Sequence, residues 1–327
     1  MTPLKLVFLG SDSIALPLLN WLAGEGSTRA QVAAVFTQPD RPSGRGQQIA
    51  ANAIRTWALA HNLPVHQPEK LTDDVRAQLA GYGADVALVM AYGHILRDEF
   101  ISTPRLGTLN LHTSLLPKYR GASPIQTAIA SGERETGVTL MRIVRELDAG
   151  PVADVERTAI VPLDTAQDIE DKLAAACVPL LARALPRLAA STLSFIPQDI
   201  SAVSFCRRLE KADGALDFTQ PAPALAARIN GLFPWPTCAI ALQGQDMKLG
   251  LADALPGSGT PGAVLGADSD GLLVGTGAGI LRLRRLQRPG GKLLPAADFL
   301  RGFPVPVGTV VTSRPMPPLV SATPFRR

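Results

Sequence analysis

Three side chains of different chemistry are arranged to converge near the middle of this sequence. Residues 108–132 read TLNLHTSLLPKYRGASPIQTAIASG, with Asn110 and His112 two apart at the end of a β-rich run. Alternate residues of a strand project from one face, so the amide and the imidazole share a side. One strand later, Glu146-Leu147-Asp148-Ala149-Gly150 sets a carboxylate at the equivalent edge, where open α/β sheets bind ligands. Asn110 cannot titrate, so it orients a group or donates to a developing oxyanion. His112 moves a proton near neutral pH, and Asp148 fixes the imidazole and balances its charge. No strong nucleophile accompanies them. The set therefore suits attack by a substrate amine on a carbonyl through a tetrahedral intermediate better than covalent catalysis. Ser114 lies two residues from His112 without the G-x-S-x-G elbow of a serine hydrolase. Taken singly, His112 also reads as a capped strand-end histidine and Asp148 as a turn aspartate before Gly150.

Such a trio needs a sheet to hold it. The first half alternates β-rich runs at 4–9, 31–36, 85–91, 107–112 and 137–143 with helical patterns at 14–23 and 50–61. That alternation predicts an α/β fold with a mostly parallel sheet and helices on both faces. A long helical stretch follows over 164–190, and the polar, mixed segment 191–204 reads as a linker. From 237 onward the period changes. TCAIAL, MKLGLA, GAVLGA, LLVGTG and ILRLRRL are separated by turn residues such as QGQD and DSDG, which fits a small antiparallel β-barrel. Residues 304–327 contain six prolines, so an extended tail is expected there. The expected division is a catalytic domain over 1–190, a linker over 191–207, a barrel over 208–310 and a Pro-rich tail over 311–327.

Composition narrows the function class. With 327 residues, 46% hydrophobic and 18% charged, the chain reads as a globular, two-domain protein. Cys177, Cys206 and Cys238 are widely spaced and form neither a disulfide framework nor a four-ligand zinc site. A reducing cytoplasm is the expected location. The apolar run at 4–9 is too short for a signal sequence, and the Ala/Leu-rich stretch 171–191 carries Lys172, Arg183, Arg187 and two prolines, unlike a membrane span. Residues 1–206 hold 18 Lys/Arg against 20 Asp/Glu, whereas residues 207–327 hold 14 against 8. A basic second half beside a near-neutral first half suggests that one part holds a polyanion and the other processes it. The turn after the first strand, Gly10-Ser11-Asp12-Ser13, lacks G-x-G-x-x-G, which disfavours a nicotinamide cofactor. GSGTPG at 257–262 is a loop. P-loop, H-E-x-x-H and G-x-S-x-G motifs are absent, and His61, His66, His94 and His112 share no metal-ligand spacing, so no metal is expected.

HTSLLPKYRGASPIQ followed by TGVTLMRIVRELDAG resembles the folate-dependent formyltransferases. VFTQPDRPSGRG at 35–46 resembles the basic loop of the members of that family that formylate methionyl-tRNA, and LEKADGALDF and FPWP resemble the entry to their C-terminal barrel. The resemblance reaches to about residue 310. It implies a Rossmann-like domain followed by an OB-like barrel, with 10-formyltetrahydrofolate as donor and initiator Met-tRNA as acceptor, without DNA or membrane partners and as a monomer. It implies further that Asn110, His112 and Asp148 are catalytic, and that Ser114, Leu115, Leu116 and Pro117 contact the folate. Tyr92, Gly93, Ile95 and Leu96 match the backbone segment beside the pterin.

Arg41 and Arg45 fall in the loop that enters the acceptor stem, and Lys211 in the barrel entry. Gln47 and Gln48 stand where lysines are expected. Pro39, Pro42, Gly44 and Gly46 argue against a regular element there, and two arginines on such a loop can fork phosphates. In ILRLRRL a strand would bury Leu281 and Leu283 and present Arg282 and Arg284 to an RNA backbone. The alternatives are a 10-formyltetrahydrofolate hydrolase, a formyltransferase of a small amine, and a non-catalytic RNA-binding protein with a degenerate fold. Neither of the first two needs a basic loop and a basic barrel, and the intact trio argues against the third.

Overall fold

The computed structural model describes residues 2–43 and 48–325. In chain order its first part runs β1 (Leu4–Gly10), α1 (Leu16–Ala23), β2 (Ala30–Phe36), β3 (Arg41–Ser43), β4 (Gln48–Ala50), α2 (Ala53–Ala60), β5 (Val65–His66), α3 (Asp73–Gly81), β6 (Val86–Met90), α4 (Asp98–Ile101), β7 (Thr108–His112), β8 (Arg120–Gly121), α5 (Pro124–Ala130), β9 (Glu135–Arg142), β10 (Val152–Ala159) and α6 (Ala166–Ala189). The second part holds β11 (Phe205–Cys206), α7 (Ala222–Gly231), β12 (Cys238–Leu242), β13 (Gln245–Leu255), β14 (Val264–Ala267), β15 (Leu272–Gly275), β16 (Ile280–Gln287), β17 (Leu293–Pro295), α8 (Ala296–Gly302) and β18 (Val320–Ser321).

β1 is apolar almost throughout because both its faces are covered: Leu6, Val7, Phe8 and Leu9 are buried. It lies inside a seven-stranded sheet of order β10-β9-β7-β6-β1-β2-β5. β1 pairs in parallel with β2 and β6, β2 with β5, and β6 with β7. β9 runs antiparallel to β7, facing His112 with Thr139 and Asn110 with Met141. The expected α/β architecture is the observed one, and the five strands anticipated from the sequence all form. The strand order reverses between β1 and β6, which opens a crevice at their carboxyl ends. Val7, Leu9, Phe36, Ala87 and Val89 pack with Leu79, Tyr92 and Phe100 on one side of the sheet.

The second sheet has order β12-β13-β16-β15-β14, with β17 on β16. Every pairing is antiparallel, and the sheet curls as a half-barrel over Leu249, Leu281, Leu283, Leu286 and Phe299, with Leu225, Ile229 and Leu232 from the α7 region. Leu281 and Leu283 point inward as alternation requires. Register shifts against β13 between Leu249 and Ala252 reset the parity, so Leu286 also enters the core after two consecutive arginines.

The described residues divide into two compact units whose segments alternate along the chain. Unit 1 draws on Met1–Arg120, Gly137–Thr158 and Asp171–Val203; unit 2 on Gly121–Thr136, Ala159–Glu170 and Ser204–Arg327. One reason is the packing of α5 on α7. A Cβ on Gly231 would fall 2.4 Å from the Ala130 nitrogen, so only glycine allows that approach. Residues 191–203 are not a free linker. Val152 and Ile196 exchange two backbone hydrogen bonds of 2.8 Å, which fastens the segment to β10.

The tail is likewise an integral part of unit 2. Val311 and Leu319 join its core, β18 pairs with β11, and Arg228, itself buried, donates to the Pro317 carbonyl at 3.0 Å. Proline prevented a helix or central strand, as expected, but the extended chain is tied down by short backbone pairings and by the buried Arg228 side chain. No described helix is long and apolar enough to cross a membrane.

Candidate active site

β7 carries the amide and the imidazole to the carboxyl edge of the first sheet. His112 is 6% exposed, and its Nε2 lies 3.0 Å from the Tyr119 carbonyl. A carbonyl only accepts, so Nε2 bears the hydrogen in that bond. Nδ1 is then the nitrogen left for proton transfer, 3.8 Å from Asp148 Oδ2. The Asn110 carboxamide is half-buried and has no hydrogen-bond partner among the described residues. Its N–H donors therefore need no rearrangement before meeting a ligand.

The chain after β7 is held by two hydroxyls. Ser114 is fully buried, and its Oγ donates to the Lys118 carbonyl at 2.7 Å. Thr139, opposite His112 on β9, donates to the Ser114 carbonyl at 2.6 Å and accepts from the Leu116 amide at 3.1 Å. Ser114 thus shapes the turn, and a nucleophilic serine has no place in this site. Tyr119 adopts φ +60°, which aims its carbonyl at the imidazole. Leu116 and Pro117, with Val152, Val155, Ile196 and Gln198, line a cleft of about 340 Å³.

Asp148 sits in a loop between β9 and β10 at φ +51°, in the left-handed region that side chains disfavour. Two features hold it there. A Cβ on Gly150 would lie 1.8 Å from the Arg142 carbonyl, so the loop closes against β9 only with glycine. The Gln198 amide donates to the carbonyls of Asp148 and Gly150, both at 2.8 Å.

The segment after β6 also turns through left-handed residues, Ala91 at φ +48° and Gly93 at +78°. The Tyr92 carbonyl accepts from Gln38 Nε2 at 3.1 Å, while the Tyr92 ring and Leu96 are buried and Ile95 is exposed. Burial pushes the Tyr92 phenol above its usual range, so it stays neutral. Burial likewise lowers His94, which keeps that imidazole uncharged near Arg41.

The basic loop departs from expectation. β3 and β4 pair antiparallel, Arg41 with Ala50, Pro42 with Ile49 and Ser43 with Gln48, so a short hairpin forms where no regular element was expected. Proline is tolerated because a two-stranded ribbon has only edges. Asp40 beside it pairs with Arg55 and accepts from Gln67 at 2.8 Å. Arg41 is exposed; Arg45 and Gln47 lie outside the described residues, and Gln48 opens β4.

In unit 2, Lys211 is exposed in a turn closed by Glu210 and Asp213. Arg282 and Arg284 do project from the outer face of β16, but they do not present free charge. Arg282 meets Asp253 at 2.6 Å, Asp268 at 3.1 Å and Asp270 at 3.4 Å, and Arg284 meets Asp253 at 3.4 Å and Asp270 at 3.3 Å. Those carboxylates raise the Arg282 pKa, led by its hydrogen bonds to Asp253. The exposed cation of this strand is Arg285. Sequence reading missed Thr139, Gln198 and Arg120, although Arg120 stands within the KYRG string.

Comparison with known proteins agrees with this chemistry. Residues 4–185 match the family described as formyl transferase, and residues 208–304 match the formyl transferase C-terminal domain. A protein of Ectopseudomonas mendocina (strain ymp) named methionyl-tRNA formyltransferase is 42% identical over 297 residues, 90% of this chain and 94% of that one. A protein of the same name from Chromobacterium violaceum is 42% identical over 308 residues, covering 94% and 99% of the two chains. The crystal structure of an N-formyltransferase from Helicobacter canadensis, in complex with folinic acid and dTDP-3-aminofucose, shares the fold with a TM-score of 0.63 at 17% identity, over 86% of this chain and 99% of that one. With an amide, an imidazole and a carboxylate in place and both parts of the chain matched over nearly their full length, this chain belongs to the formyl transferase family.

Proposed function

We propose that this protein transfers the formyl group of 10-formyltetrahydrofolate to the α-amino group of methionyl initiator tRNA. The observation that carries the reading is the juxtaposition of His112 Nδ1 and Asp148 beside β7, the strand that also bears a half-buried Asn110 amide with no hydrogen-bond partner among the described residues. Near-full-length likeness to proteins named methionyl-tRNA formyltransferase selects the acceptor. The donor fits this unit. The Tyr92–Leu96 backbone and the cleft at Leu116 and Pro117 offer carbonyl and apolar surfaces, and the Asn110 donors remain to be satisfied. When bound, the donor supplies an electrophilic formyl carbon.

The protein's own groups do the rest. Asn110 Nδ2 donates to the oxygen that gains negative charge, in a geometry set before the reaction. His112 Nδ1 takes the proton from the attacking amine and returns one to the departing nitrogen, while Nε2 stays locked on the Tyr119 carbonyl. Asp148 orients the imidazole and balances its charge. A free α-amine titrates at about 7.7 to 8.0, so it is nucleophilic near neutral pH and positioning supplies much of the rate. Arg41, Arg45, Lys211 and Arg285 are the cations proposed to hold the tRNA; Arg282 and Arg284 instead brace β16, the strand that carries Arg285. The enzyme acts as a cytoplasmic monomer.

The test mixes the purified protein with 10-formyltetrahydrofolate and charged initiator Met-tRNA, elongator Met-tRNA or no tRNA, and measures formyl-Met and donor loss. Formylation of the initiator alone is expected. Donor loss without formyl-Met would replace this reading with a hydrolase or a small-amine formyltransferase, and no turnover would leave an RNA-binding protein.

A further inference from the structure

Asp148 is held by residues far from it in sequence, and the manner of holding implies a role for them. Its loop runs from Arg142 to Pro151, closed by the Arg142 amide on the Pro151 carbonyl at 3.0 Å. Within it Asp148 takes a left-handed backbone conformation that a side chain adopts only where its surroundings impose it. Gln198 supplies part of that constraint. Its single NH2 group bridges the carbonyls of Asp148 and Gly150, the residues either side of Ala149, each at 2.8 Å. Both of its hydrogens are thereby spent on the loop.

The other end of the Gln198 amide is fixed as firmly. Its Oε1 accepts from Arg120 Nε at 3.1 Å and Nη2 at 2.8 Å, a two-pronged contact that leaves the amide one orientation. Arg120 is buried at 8% exposure, one residue beyond the Tyr119 carbonyl that holds His112. Burial lowers its pKa, and the charges of Asp148 and Glu146 oppose that shift. Gln198 lies two residues after Ile196, whose paired hydrogen bonds to Val152 lock this stretch on β10. Arg120, Gln198 and the Asp148 carbonyl therefore form a relay from one side of the imidazole to the other.

We infer that Gln198, oriented by Arg120, is a positioning residue for the reaction: it sets where the Asp148 carboxylate stands relative to His112 Nδ1. The inference rests on the formyl-transfer reading above. It predicts a selective defect. Gln198→Ala should lower kcat by about 10- to 100-fold, as misplacement of a catalytic group by about 1 Å does, with both KM values within about twofold. Gln198→Glu keeps an acceptor for Arg120 but has no donor for the loop, and it should lose as much.

The experiment measures kcat, both KM values and Tm for wild type, Gln198→Ala, Gln198→Glu, Asp148→Ala and the Asp148→Ala/Gln198→Ala double variant. In the Asp148→Ala background the second substitution should cost less than about threefold, because its effect passes through the missing carboxylate. Multiplying penalties, a Glu variant with wild-type kcat, or a defect confined to KM would overturn the inference. A wild-type protein without formylation would instead overturn the functional reading. Should Gln198→Ala fail to fold, the Glu variant and its double with Asp148→Ala carry the same comparison.

Discussion

Replacing Asn110 by alanine separates catalysis from stability. The carboxamide makes no hydrogen bond to the described protein and is half-buried, so truncation strands no partner and opens no sealed cavity. Surface-like changes of that kind cost within about 0.5 kcal/mol. The chemical loss is of another order. Removing one preorganised donor to a developing oxyanion lowers kcat by about 10² to 10³, or about 2.7–4 kcal/mol of barrier. KM for both substrates should move little, because the interaction forms fully only as charge develops. The assay is initial-rate formylation of charged initiator tRNA at saturating donor, beside a thermal melt of the same preparation. A kcat within threefold of wild type would refute the oxyanion role. A Tm several degrees lower would refute the premise that the amide has no structural duty.

Other perturbations separate structural from functional charge and test the packing. Arg282→Ala should destabilise unit 2 by about 1–3 kcal/mol, since three aspartates lose their shared partner, whereas Lys211→Ala should leave Tm unchanged, raise KM for tRNA and reduce the salt dependence of binding by about one unit of slope. Equal effects on Tm would contradict the structure. Ending the chain after Arg314 removes Leu319 from the core and the Pro317 acceptor from Arg228, at a cost of at least about 2 kcal/mol and a lower melting temperature. An unchanged melt would show the tail to be dispensable.

Burial pushes the Cys177 and Cys238 thiols up to about 12. At pH 8 both should resist a thiol reagent until the protein unfolds. Their contribution to stability is complete below about pH 8.5, the unfolded thiol value, and is lost as pH rises through 12. Melts across pH 9–12 should fall less steeply for Cys177→Ala and Cys238→Ala.

Much of this was legible because it depends on local pattern. Alternation put Asn110 and His112 on one strand face, and the β-rich runs found β1, β2, β6 and β7 of the parallel core, missing only the two-residue edge strand β5. What escaped was non-local. Strand parity gives the side on which Arg282 lies, but Asp253, paired with it across β13 and β16, decides whether its charge is free. The polar composition of residues 191–204 reads as linker, yet Ile196 pairs with Val152 and Gln198 reaches the Asp148 loop, contacts that nothing in the neighbouring sequence announces. Prolines at 42 and 317 correctly rule out helix and central strand, but they do not say whether an edge or a buried arginine will claim the backbone. The left-handed turn at Asp148 was invisible for a related reason: it is imposed by Gln198 and by the closeness of Gly150 to Arg142.

The interleaving of the two units bears on how such a chain is synthesised and recombined. The backbone passes between units after residues 120, 136, 158, 170 and 203. A ribosome that has released only the first two hundred residues has delivered α5 without α7, the helix it packs against, and the core of unit 2 still awaits Leu319. Unit 1 can consolidate early, around β1, β6 and β7, while segments 121–136 and 159–170 remain unsatisfied until the last strands emerge. A chimaera joined near residue 200 would inherit the same mismatch, so exchange of C-terminal halves between relatives has to carry the α5 surface with it.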